Sequence, residues 1–238
     1  MAAQIMSQIK SCDKCQECKI TGQKKYGKIP LIAGRETIQP WEVVHLDCAG
    51  PWTTHFYDAK EKKTIEIKTL TLTAVDKSSN FPEIWRLDNK EANTIARSFD
   101  AGWSCKSPRP IEVRTDNGTE FDSFEFQEMM HSYGIKASPT TIKNPAANAI
   151  VERLHLWMGD VLRMKTFERV NWKFEVDYTL QTIAWAFRTT VPLTVPHSPG
   201  NLAFERDMTM NTRIKIDWEL VKKLRYKNMI KKQHQRKK

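Results

Sequence analysis

Three acidic residues stand where regular elements end or begin, and carboxylates so placed are the oxygen ligands that a hard divalent cation takes. The β-branched run from Ile111 to Thr115 delivers Asp116 into an Asn-Gly turn. The apolar run from Trp41 to Leu46 delivers Asp47 and then meets Gly50-Pro51, which reads as a strand stop. Glu152 lies near the start of a helix, in Asn144-Pro-Ala-Ala-Asn-Ala-Ile-Val-Glu152-Arg153. Singly, each acid has a plainer explanation, because aspartates close turns and a glutamate suits the first turn of a helix. Together they could converge on hard divalent cations, which favour oxygen ligands.

The spacing adds specificity, since 35 residues lie between Asp116 and Glu152. With the Asp116-Asn-Gly wording and the Asn144 to Arg153 segment, the chain resembles the D,D(35)E integrases of retroviruses and LTR retrotransposons, the gypsy-like branch above all. Ser198-Pro-Gly-Asn-Leu-Ala-Phe204-Glu-Arg206 resembles the segment after the catalytic core in that branch, and Cys12-Asp-Lys-Cys15 its N-terminal module. The likeness covers roughly residues 8 to 206. It implies an α/β fold, a ribonuclease H-like five-stranded mixed sheet flanked by helices. It also implies two Mg²⁺ or Mn²⁺ ions, with Asp47 bridging them and Asp116 and Glu152 each completing one site. The implied activity is that of a polynucleotidyl transferase: trimming of a DNA 3′ end, then its joining to target DNA, without a covalent protein intermediate.

In the family a Cys-x-x-Cys pair makes half of a zinc site whose other half is an upstream pair of histidines. No histidine precedes Cys12, so Cys12 and Cys15 lack the four-ligand set of structural zinc, and the segment reads as a remnant of that module. Ala146 and Ala149 replace a glutamine and a glycine of many integrases. Candidate DNA contacts are Asn117, Lys143, Asn144, Asn148, Arg153, His155, Arg163 and Lys165, which are amides or cations near the acids. Family members usually continue into a further C-terminal domain, for which the residues after Arg206 leave no room.

Composition agrees with a polyanionic partner. The 238 residues carry a formal charge of +10, with 40% hydrophobic and 10% aromatic content, enough for one substantial core. No long apolar segment suggests a membrane. Three of the five cysteines crowd into Cys12, Cys15 and Cys18, unlike a secreted disulfide framework, so a reducing location in nucleus or cytoplasm is expected. Double-stranded DNA, as element ends and target, is the expected partner, with a homo-oligomer and no small-molecule substrate.

Periodicity supplies the elements that must position the acids. Residues 1–36 form the zinc-type remnant and a linker, 37–195 the catalytic core, and 196–238 a post-core segment with a basic tail. Strands are expected near Val43–Asp47, Thr64–Val75, Phe81–Trp85, Ile111–Thr115 and Ile135–Ala137. Asp76 reads as a hairpin-turn aspartate. Asn89 should cap a helix presenting Ala92, Ile95, Ala96, Phe99 and Trp103, and Ser123 one presenting Phe126, Met129, Met130 and Tyr133. The Glu152 helix should bury Ile150, Leu154, Trp157, Val161 and Met164, with Glu152, His155, Leu156 and Gly159 on a neighbouring face. A further helix spans about Trp172 to Phe187. Lys222 to Lys238 holds nine lysines and arginines and no acid. It reads as a basic helix with a Trp218, Val221, Leu224 and Tyr226 stripe, serving as a nuclear localisation signal, a phosphate-binding arm or the stump of a polyprotein. Two other readings compete with strand joining. One is a domesticated or truncated remnant that binds DNA or a protein without chemistry; the other, ribonuclease H itself, fits poorly because its further catalytic acids have no counterpart.

Overall fold

The computed structural model describes residues 39–58, 60–116, 118–139, 149–168 and 171–237. Five strands form the path β3-β2-β1-β4-β5: β1 (Val43–Asp58), β2 (Lys63–Asp76), β3 (Pro82–Leu87), β4 (Glu112–Thr115) and β5 (Lys136–Pro139). The first three make an antiparallel meander, and β4 and β5 add in parallel. A short sixth strand, β6 (Thr166–Glu168), pairs in parallel with the far half of β1. The helices are α1 (Ala92–Phe99), α2 (Phe124–Ser132), α3 (Ala149–Met164), α4 (Trp172–Thr189), α5 (Pro199–Phe204) and α6 (Trp218–Lys237). This is the expected mixed sheet with flanking helices. No helix among the described residues is long and apolar enough to cross a membrane.

Alternation along the strands sorts the core into two layers. Val44, Leu46, Leu72 and Ala74 face α1 and α2 and pack with Ile95, Phe99, Trp103, Phe126 and Met130. Val75, Ile84 and Phe56 face the other way, against Leu154, Met158 and Leu162 of α3 and Val176, Leu180 and Ile183 of α4. A third cluster joins Val195, Leu202 and Ile216 to Val221 of α6.

Five expectations are corrected. Gly50-Pro51 does not stop β1, which runs for 16 residues. The pairing with β2 shifts register between Ala49 and Trp52, and this bulge accommodates a proline that has no N–H for the ladder. Gly50 sits at φ 107° with Thr69 O 2.8 Å from where a Cβ would stand, so only glycine suits the bend. Glu91, not Asn89, is the N-cap of α1; Asn89 Oδ1 instead accepts from Glu91 N at 3.1 Å, because an Asx turn ahead of the helix takes its side chain. Trp103 is buried, but on a π-helical turn (Asp100–Ser104) that continues α1.

The core face of α3 is the fourth correction. Val151, Leu154, Met158 and Leu162 are the buried positions, while Trp157 is 40% exposed and rests on Phe187, with ring centroids 5.6 Å apart. The helix is apolar over so much of its circumference that two helical stripes satisfy the same sequence. Contact with β1 selects one. Finally, Tyr226 of α6 points outward, whereas Val221, Leu224 and Trp218 pack inward. Ser123, by contrast, caps α2 as expected, accepting from Phe126 N at 3.3 Å.

Candidate active site

Strand register brings two of the three acids together. Val43 pairs with Glu112 and His45 with Arg114 on the parallel β1–β4 ladder, so continuing two residues sets Asp47 beside Asp116 on the same face. Adjacent strands lie about 4.8 Å apart, a distance at which two carboxylates feel each other strongly. Asp47 is pushed up to about 7, first by its burial and then by the negative charge of Asp116; the backbone N–H of Cys48 and the charge of Lys90 oppose the rise, and Glu120 adds to it. Asp116 is exposed at the end of β4, and its Oδ1 accepts from Gly118 N at 3.1 Å, which closes the turn behind it.

Helix α3 crosses this same face. Thr73 is the β2 partner of Asp47, and its Oγ1 lies 2.8 Å from His155 Nε2 and donates to the Asp47 carbonyl at 3.1 Å. His155 Nδ1 stands 3.9 Å from Asp47 Oδ2. Burial lowers the His155 pKa to about 4, so the ring is neutral at pH 7 and this contact is not an ion pair. One turn further along, Gly159 lies against the Trp52 ring, and a Cβ there would come within 2.6 Å of Trp52 Cζ3. Trp52 Nε1 in turn donates to Thr71 Oγ1 at 3.3 Å. Positions 152, 155 and 159 share one helical stripe, so the two lower contacts fix where Glu152 stands. Glu152 itself is exposed, one turn beyond His155.

The acids suit a hard cation in kind: two carboxylates on neighbouring strands, one of them raised by the other, release their mutual repulsion when a divalent ion sits between them. No group of three histidines, cysteines or acids among the described residues is already closed into a metal cage. Asp47 and Asp116 stand side by side on adjacent strands, and Glu152 is exposed on α3.

The remaining sequence candidates divide. Cys12, Cys15, Asn117, Lys143, Asn144 and Asn148 lie outside the described residues. Arg153 is exposed on α3. Arg163 donates to Asp160 Oδ1 at 2.6 Å, and Lys165 donates to Thr179 Oγ1 at 2.9 Å with its ammonium 4.9 Å from the Phe167 ring, so both are held by internal partners. His155 turns inward to Thr73 rather than outward to a phosphate, because its stripe of α3 is the one that meets the sheet. Sequence reasoning missed Thr73, Trp52, Glu120 and Lys90. For Thr73 the signal was the alternation of β2, which places it on the Val75 face; Lys90 comes near only through the fold.

Comparison with known proteins bears on the core that carries these residues. Residues 43–145 match the integrase core domain. An uncharacterized protein of Caenorhabditis elegans is 25% identical over 149 residues, 63% of this chain and 10% of the relative. The chain thus spans about a tenth of that curated relative's length. Among solved structures, the HTLV-2 integrase catalytic core domain in complex with magnesium, in its trimeric form, superposes with a TM-score of 0.50 at 20% identity, over 71% of this chain and 99% of that one. The BIV integrase catalytic core domain gives 0.50 at 18% identity, over 69% of this chain and 95% of its own. These two likenesses concern the fold, which is that of the ribonuclease H-like integrase cores. Over residues 43–145, the chain is similar to the integrase core domain.

Proposed function

We propose that the chain is a metal-dependent DNA strand-transfer enzyme, in which Asp47, Asp116 and Glu152 hold two Mg²⁺ ions. The observation that carries this reading is the placement of Asp47 and Asp116 at one level of adjacent parallel strands, on the face crossed by the helix that bears Glu152. When bound, the ions activate the attacking oxygen and stabilise the departing 3′ oxygen of an in-line displacement. Asp47, Asp116 and Glu152 would be the residues that hold the ions. Thr73 and His155 hold α3, the helix that carries Glu152, against β2. Lys90, whose charge acts on Asp47, is suited to a phosphate beside the acids. The catalytic core is taken as 37–195, the substrates as double-stranded DNA ends and target, and the working form as an oligomer.

A second reading, a remnant that binds DNA without joining it, draws on the exposure of Glu152 on α3. A branched duplex that mimics the joined product separates the two. With Mg²⁺ or Mn²⁺, wild type should resolve the branch, and Glu152→Gln should bind it equally and yield nothing. Equal binding by both with no product from either leaves the remnant standing.

A further inference from the structure

We infer that α6 is a second duplex-DNA contact, made by Lys223, Lys227 and Lys231. The choice of DNA as occupant rests on the function proposed above. One side of α6 is committed to the body of the protein. Val221 is buried, Leu224 and Trp218 pack with it on Val195, Leu202 and Ile216, and Asn228 Nδ2 donates to Thr194 O at 2.9 Å. Arg225 is drawn inward as well, where burial lowers its pKa against the opposing charge of buried Asp76. The helix is therefore docked, and its outward side has a fixed orientation.

That outward side carries Lys223, Lys227 and Lys231, all exposed and four residues apart, with Tyr226 beside them at 58% exposure. Four residues of helix rise about 6 Å, so the row spans about 12 Å, a length over which a DNA strand presents a phosphate every ~3.4 Å of axis. Like charges at this spacing repel, by a few tenths of a kcal/mol per pair. Nothing in the helix relieves them: no acid follows Glu219, which pairs with Lys222 at 3.1 Å, and none of the three lysines has an ion-pair partner among the described residues. A fixed, uncompensated row of this kind fits a polyanion. It fits nucleic acid better than a lipid surface, because the apolar stripe that would enter a bilayer is already buried in the protein.

The test uses the full chain and a labelled blunt duplex, with affinity measured by fluorescence anisotropy across a series of salt concentrations. Wild type is compared with the triple variant Lys223→Ala, Lys227→Ala, Lys231→Ala, and with a charge-matched control, Lys60→Ala, Lys62→Ala, Lys63→Ala, on the β1–β2 hairpin. Each phosphate contact contributes about 0.9 to the slope of log affinity against log salt, so the α6 variant should lose up to about 2.7 and the control far less. An unchanged slope in the α6 variant overturns the inference. So does an equal loss in both variants, or loss of binding to anionic phospholipid vesicles without change at DNA. Failure here with branch resolution intact sinks only this contact; a lowered slope with no branch resolution by wild type sinks only the strand-transfer reading.

Discussion

Replacing Asp47 by asparagine should make the metal-free protein more stable, by an amount that grows with pH. Asp47 titrates near 7 in the folded chain against an ordinary value of 3.8, so the folded state holds this proton more tightly than the unfolded chain does. Ionisation is therefore costly only when folded. The penalty is absent below the unfolded value, grows as pH rises from about 4 to about 7, and is constant above. A gap of about three pH units, at ~1.4 kcal/mol per unit, sets it near ~4 kcal/mol at pH 8 and near ~2 kcal/mol at pH 5. The side chain is 19% exposed, so most of this penalty survives solvent screening. Urea unfolding in the presence of a chelator, followed by tryptophan fluorescence, measures both proteins at both pH values. Asp47→Asn should gain about 2 kcal/mol over wild type on going from pH 5 to pH 8. A difference between the two proteins that does not change with pH refutes the reasoning. Adding Mg²⁺ at pH 8 should then narrow the gap by stabilising wild type alone.

Two further perturbations probe how the site is held. Gly159→Ala places a methyl group 2.6 Å from Trp52 Cζ3, and overpacking of that kind should cost about 1–3 kcal/mol despite the better helix propensity of alanine; Trp52→Leu should restore most of it in the double variant, as read by the urea midpoint. Asp76→Ala removes the acceptor of Trp41 N at 2.7 Å and of Ser79 N and Oγ at 2.6 Å, and leaves Arg225 buried without its counter-charge. A loss of about 3–5 kcal/mol is expected in chemical unfolding, and a loss under 1 kcal/mol would show that the hairpin does not depend on this side chain.

Asp76 also shows what a sequence can carry unaided. Its place after an alternating strand and before Lys-Ser-Ser-Asn named it a turn aspartate, and its two hydrogen bonds from Ser79 lie within that turn, while the one from Trp41 N comes from the fold. The strand near Thr64–Val75, the Ser123 cap and the helix from about Trp172 were legible for the same reason, since short local patterns of residue types specify them. The Gly50-Pro51 bulge was not, because whether a proline ends a strand or bends it depends on the partner strand. The face of α3 was also undetermined, since its apolar residues surround most of the helix and only the contact of Gly159 with Trp52 and of His155 with Thr73 chooses among them.

The amino-acid order therefore determined which acids were candidates and which elements carry them, as wording and spacing are properties of the chain. Only the tertiary structure decided that Asp47 and Asp116 meet on one face, that Glu152 is exposed on the helix crossing it, and that His155 looks inward. Those are outcomes of strand register and helix rotation, which long-range packing sets and no local window contains.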